Sequence, residues 1–154
     1  MTWIKLCSIV FLSLSLMFTG CKSQPNEEVY ISDFYNIHEE YKDAWGNVGK
    51  YDISLPYIHC DSKSAKKLNQ TIKNEYKDLV DSLDEAKEEG YTLPDTKVSY
   101  DVYTHSNLLS LVIKEEVETE YPRYKVYHFD SKTKKRVSNK KLYKKYKISQ
   151  KDMK

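Results

Sequence analysis

The chain has 154 residues, with 25 Lys and Arg against 23 Asp and Glu, a formal charge of +2, so bulk charge selects no partner. Hydrophobic residues at 40% and charged residues at 31% describe one domain's worth of polar globular chain. Only four Gly and four Pro exclude collagen-like, linker-like and Pro-rich classes.

The chain begins with an apolar run from Leu6 to Phe18, preceded by the cation Lys5. The run is too short to cross roughly 30 Å of hydrocarbon and reads as the h-region of an export signal. It leads into Met-Phe-Thr-Gly-Cys, with small residues Thr19 and Gly20 before Cys21 and Phe18 where Leu is commonest. This segment resembles the lipobox of bacterial lipoproteins. The resemblance implies a signal peptide over 1–20, cleavage recognised through Phe18, Thr19 and Gly20, and Cys21 as a lipidated amino terminus carrying acyl chains such as palmitate. At about 0.8 kcal/mol per buried methylene, one chain binds a membrane reversibly and two hold it stably. The expected location is therefore the extracytoplasmic face of the cell membrane, with the bilayer as a partner through Cys21. The alternative is a plain secretory signal with a chance Cys near its cleavage point. With Cys7 removed and Cys21 alkylated, Cys60 is the one remaining thiol and no internal disulfide can form. Cys60 reads as a half-buried residue ending a strand, against the alternative of a nucleophile that needs a base and an electropositive setting.

Residues 21–29 then read as the lipidated Cys and a tether, reaching at most about 28 Å, and residues 30–154 as a single domain. From Ile31 to Gly46 the large apolar residues Ile31, Phe34, Tyr41 and Trp45 fall at steps that predict an amphipathic helix, capped by Asp33 and stopped by Gly46. In Lys50 to Cys60, Tyr51, Ile53 and Leu55 alternate, and Pro56 predicts an edge strand or a bulge. Ala65, Leu68, Ile72, Tyr76, Leu79, Leu83 and Ala86 predict a long helix of seven turns, capped by Asp61, Ser62 or Ser64 and stopped by Gly90. Beyond Pro94 the period changes to two. Val98 to Tyr103, Leu108 to Glu118 and Arg123 to Phe129 predict strands, with turns at His105 to Asn107 and Asp130 to Lys135. Arg136 to Ser138 reads as a short returning strand, and Ser138 or Asn139 as the cap of a short helix through Tyr146. The predicted fold class is α+β, one long amphipathic helix packed on a mostly antiparallel sheet of three to five strands.

Three stretches carry a further resemblance: DISLPYIHCDSKSAKKLNQTI from Asp52, NLLSLVIKEEVE from Asn107, and YHFDSKTKKRVSNKKL from Tyr127. Together they are similar to an extracytoplasmic module of Gram-positive lipoproteins and membrane-anchored ectodomains, found beside peptidoglycan deacetylases and in lysozyme-sensing anti-sigma factors. Many members carry a Gly-Gly-Ala-His-Gly loop where this chain has TEYPRY at Thr119 to Tyr124, so no role of that loop transfers. Members continue into a further helix, of which Ser149 to Lys154 reads as the beginning, as in a shortened member. The resemblance implies an α+β module without assigned catalytic residues, and it does not imply lysozyme binding.

Charge is unevenly placed. Glu27 to Asp61 holds two basic and eight acidic residues, minus six; Lys63 to Glu120 eight and thirteen, minus five; Tyr121 to Lys154 thirteen and two, plus eleven. The C-terminal block, with Lys140, Lys141, Lys144 and Lys145 as its candidate basic patch, suits anionic headgroups or wall polymers. The alternative is a solvated turn and helix balanced by Glu115, Glu116, Glu118 and Glu120 on a neighbouring strand. Nucleic acid would suit the block too, but export removes that partner. Trp45, Tyr100 and Tyr103 are candidates for a sugar-stacking platform, against an ordinary role as core and strand aromatics. His38, His59, His105 and His128 are scattered without metal-ligand spacing, although His105 and His128 can approach across neighbouring strands. Glu88 and Glu89, like Glu115 and Glu116, are adjacent charges rather than an opposed acid/base pair. Neither a nucleophile elbow nor a phosphate loop is present, so no cofactor, metal or enzymatic activity is expected. The expected function is a non-enzymatic membrane-anchored module that binds or senses an envelope glycan or protein. The alternative is an accessory or remnant domain of a peptidoglycan-modifying enzyme.

Overall fold

A computed structural model describes residues 28–147. Phe18, Thr19, Gly20 and Cys21, with the rest of the signal segment and most of the tether, lie outside the described residues, as does the helix expected from Ser149. The elements are β1 (Tyr30–Lys42), β2 (Val48–His59), α1 (Lys63–Glu89), β3 (Thr96–His105), β4 (Leu108–Val117), β5 (Arg123–Asp130), β6 (Lys135–Val137) and α2 (Asn139–Tyr146). The six strands form one sheet in chain order, antiparallel throughout except where β2 and β3 run parallel around the α1 crossover. The α+β class holds, with six strands rather than three to five.

The extra strand is β1, where a helix was expected. Its three-residue step from Ile31 to Phe34 comes from a bulge: the register with β2 shifts between Asp33 and Tyr35, opposite Pro56 and Leu55. Past the bulge Tyr35, Ile37 and Tyr41 are partly buried while Asn36, His38, Glu40 and Lys42 are exposed, the alternation of a strand. A bulge inserts one residue and so imitates helical spacing over a short window. Gly46 stops no helix; with φ at 92° it sits in the tight turn between β1 and β2. Pro56 does mark a bulge, carried by the partner strand, but β2 is an inner strand over Tyr51 to Ile53, where it also pairs with β3.

Helix α1 forms as its spacing predicts. Ser62 caps it, its side chain accepting from the Ala65 N–H, and Gly90 ends it in the left-handed region at φ 78°. Its buried stripe, Ala65, Leu68, Ile72, Tyr76, Leu83 and Ala86, covers Ile53, Leu55, Val98, Leu111, Ile113 and Phe129 on one face of the sheet. Each large side chain so buried contributes about 1.5–3 kcal/mol. None of the described helices is long and apolar enough to cross a membrane.

Candidate functional site

The β5–β6 turn and α2 assemble the C-terminal basic block. Asp130 accepts a hydrogen bond from the Thr133 N–H at 2.7 Å, and Lys134 adopts φ 52° to close the turn. That backbone donor, opposed by burial, holds the Asp130 carboxyl below the usual carboxylate range, and the positive charge of Lys141 adds to the effect. Strand β6 pairs with His128 to Asp130 and delivers the chain to Ser138, which caps α2 by accepting from the Lys141 N–H. Leu142 is the one buried residue of α2, and it pins the helix while Lys140, Lys141, Lys144 and Lys145 stay exposed. Their spacing of one, three and one places all four on one side of the helix.

The structure divides these lysines. Lys141 and Lys145 line a cleft of about 530 Å³ with His105, Asn107, Asp130 and Tyr146, while Lys140 and Lys144 lie outside it. Among the described residues none of the four forms an ion pair. The expected balance by Glu115, Glu116, Glu118 and Glu120 does not occur. Glu115 and Glu120 pair with Arg123, and Glu116 pairs with Lys114. Leu108 stands opposite Asp130 whereas Glu115 stands opposite Arg123, so the carboxylates are seven residues, about 23 Å, along β4 from the basic turn.

A second group of cations joins this end, which sequence order alone did not bring together. The Ser64 hydroxyl in the first turn of α1 accepts from the Arg136 N–H of β6 at 2.7 Å, bringing Lys63, Lys66 and Lys67 to the same pole. Lys66 bonds Asp61; that bond and its charge hold the Asp61 carboxyl low, and Lys134 contributes from the hairpin. The described chain also begins here. Glu28, Tyr30, His59, Cys60, Asp61 and Lys66 line one recess, and the Tyr30 and His59 rings stack at 4.2 Å. Cys60 is a half-buried free thiol just past the end of β2.

The opposite end of the sheet is acidic. The turn joining β1 and β2 is organised by Asp43, whose carboxylate accepts from the Trp45 N–H at 2.9 Å, the Asn47 N–H at 2.8 Å and the Asn47 amide at 2.8 Å. Trp45 projects from that turn with 75% of its surface exposed. Nearby, Asp52, Asp95, Glu116, Glu118 and Glu120 line an open groove of about 500 Å³ together with Lys50 and Lys97. The Lys97 hydrogen bond, against burial and with help from His38, lowers the Asp52 pKa.

The proposed aromatic platform is not assembled. Tyr103 is exposed on the outer face of β3, while Tyr100, three residues earlier, points to the opposite face and donates to Asp33 at 2.6 Å. Burial, then that carboxylate, push the Tyr100 pKa up to about 12. Trp45 belongs to another end of the sheet. His105 and His128 do not meet: β4 lies between them, His105 standing opposite Leu108 and His128 opposite Ser110. The His128 imidazole instead hydrogen-bonds the Ser110 hydroxyl at 2.9 Å, and burial lowers its pKa. Among the described residues no three of His, Cys, Asp and Glu converge as metal ligands. The chain matches no protein-family model and no curated protein sequence.

Proposed function

We propose that this chain is a membrane-tethered lipoprotein whose α+β domain binds or senses an envelope glycan or protein at the outer face of the membrane, without enzymatic activity. The observation that carries the reading is Met-Phe-Thr-Gly-Cys at 17–21 behind a short apolar run, nine residues before the first strand at Tyr30. A folded body placed so close to an acylated residue remains at the bilayer. The exposed Trp45 supports a binding role, because a carboxylate hub holds its turn in one shape and a fixed indole stacks on sugars or packs on proteins with little ordering cost.

The test has two arms. Metabolic labelling with an alkyne fatty acid is expected to mark the chain, and Cys21→Ser to abolish both the mark and membrane fractionation. An unmarked protein that fractionates identically after the change refutes the anchor. Capture on purified wall glycan or on cross-linked envelope protein, lost in Trp45→Ala, is expected of the binding module. The resemblance to modules beside peptidoglycan deacetylases supports a second reading, an accessory domain of an envelope enzyme, for which a co-purifying deacetylase is the expected partner.

A further inference from the structure

The two ends of this domain carry opposite charge, and the chain enters at the basic one. Three cations stand on the first five residues of α1, four on Lys132 to Arg136 and five on α2 and its cap, twelve in all, against Glu28, Asp61 and Asp130. The bond between Ser64 and Arg136 makes them one surface. At the other end Asp43, Asp52, Asp95, Glu116, Glu118 and Glu120 outnumber the lysines of their groove, Lys50 and Lys97. Helix α1 runs from one pole to the other with 27 residues, so the poles are about 40 Å apart.

We propose that the basic pole docks the domain on an anionic lipid bilayer, turning the acidic groove and Trp45 outward. The proposal rests on the anchor at Cys21 for its geometry. The nine residue steps from Cys21 to Tyr30 reach at most about 32 Å and join the domain beside the basic pole. This tether is too short to let the acidic pole, about 40 Å away, face the membrane instead. Electrostatics selects the same pose. Headgroup fields decay over about 10 Å at 0.1 M salt, so a pole held against the surface feels them and the distal carboxylates do not. Among the described residues Lys140, Lys141, Lys144 and Lys145 form no ion pair that docking would have to break, and the one carboxylate that feels Lys141 is Asp130 across the cleft.

The test uses the full chain, purified with its lipid from a bacterium that processes lipoproteins. It is mixed with vesicles of phosphatidylcholine alone or with added phosphatidylglycerol. Flotation on the neutral vesicles reads the anchor. Acetylation of lysines by a membrane-impermeant ester, read by mass spectrometry, reports the pose. On anionic vesicles Lys63, Lys67, Lys140 and Lys144 are expected to react about fivefold more slowly, the attraction typical of one cation at such a surface. Lys42 and Lys97 at the far end keep their rate. Raised salt, or Gln at Lys140, Lys141, Lys144 and Lys145 together, is expected to remove the protection of Lys63 and Lys67. Flotation on both vesicles with equal acetylation overturns docking and leaves the anchor standing. Flotation on anionic vesicles alone, with the same protected lysines, upholds docking and overturns the anchor. Flotation on neither overturns both.

Discussion

Asn69 of α1 hydrogen-bonds both backbone groups of Ile58 on β2: its Oδ1 accepts from the Ile58 N–H at 2.9 Å and its Nδ2 donates to the Ile58 carbonyl at 2.9 Å. Strand β2 pairs with β3 only over Tyr51 to Ile53, so beyond that point its inner edge has no strand beside it. A buried side-chain amide takes the place of the missing neighbour and satisfies groups that would otherwise be stranded in the core.

Asn69→Leu keeps the volume and removes both bonds. It is expected to cost about 2–4 kcal/mol, the penalty for two buried backbone groups left unpaired. Urea unfolding followed by far-ultraviolet circular dichroism measures it. Asn69→Asp also destabilises at neutral pH, because the introduced carboxylate faces the Ile58 carbonyl. Its folded pKa is then raised, so the loss shrinks as pH falls and the protonated acid becomes a donor. A mutant as stable as the parent at neutral pH contradicts this account.

Two glycines separate crowding from backbone strain. A Cβ on Gly49 would collide with the Tyr51 hydroxyl and stand 3.1 Å from the Leu93 carbonyl oxygen. The Tyr51 ring is buried and its hydroxyl bonds both backbone groups of Leu93, so neither neighbour yields. Gly49→Ala is expected to cost about 1–3 kcal/mol by overpacking. Gly90→Ala meets nothing within 4 Å and carries only the strain of φ 78°, about 1 kcal/mol. Equal unfolding midpoints for the two variants would go against the steric argument.

The Tyr76 hydroxyl is buried and has no hydrogen-bond partner among the described residues. Burial first, then Glu115 and Glu75, keep it protonated. Tyr76→Phe removes an unsatisfied group while the ring still meets Lys125, so thermal unfolding is expected to show no loss and a gain of up to about 1–2 kcal/mol. Tyr127→Phe is the contrast. Its hydroxyl donates to Glu75, and losing a bond to a charged acceptor is expected to destabilise by about 1.5–3 kcal/mol.

Burial pushes the Asp43 carboxyl up, but bonds from the Asn47 side chain and N–H, the Trp45 N–H and the Thr92 hydroxyl outweigh it and hold the pKa below its ordinary value. A depressed folded pKa stabilises above the unfolded value of about 3.9 and ceases to as pH falls through the folded one. Trp45 emission is therefore expected to stay constant from neutral pH to about pH 4 and to change below it. Asp43→Asn should abolish that acid transition. A change centred near neutrality would show that another group controls the turn.

Local periodicity made much of this molecule legible in the chain: the stripe and caps of α1, the alternation of β3 to β5, the short β6 and the Ser138 cap all depend on neighbours a few residues away. The candidate lysines on α2 were legible for the same reason, as was the concentration of positive charge in the last third. Tertiary structure decided the rest. A bulge opposite Pro56 made a strand of residues whose spacing imitated a helix, because pairing with β2 satisfies twelve residues of backbone that an isolated helix of that sequence would not hold. The Ser64 to Arg136 bond gathered cations some seventy residues apart into one pole, and the sheet register carried the acidic residues of β4 to the other. Charge totals are additive along a chain, but which charges face one another depends on topology, and that is a property of the folded sheet alone.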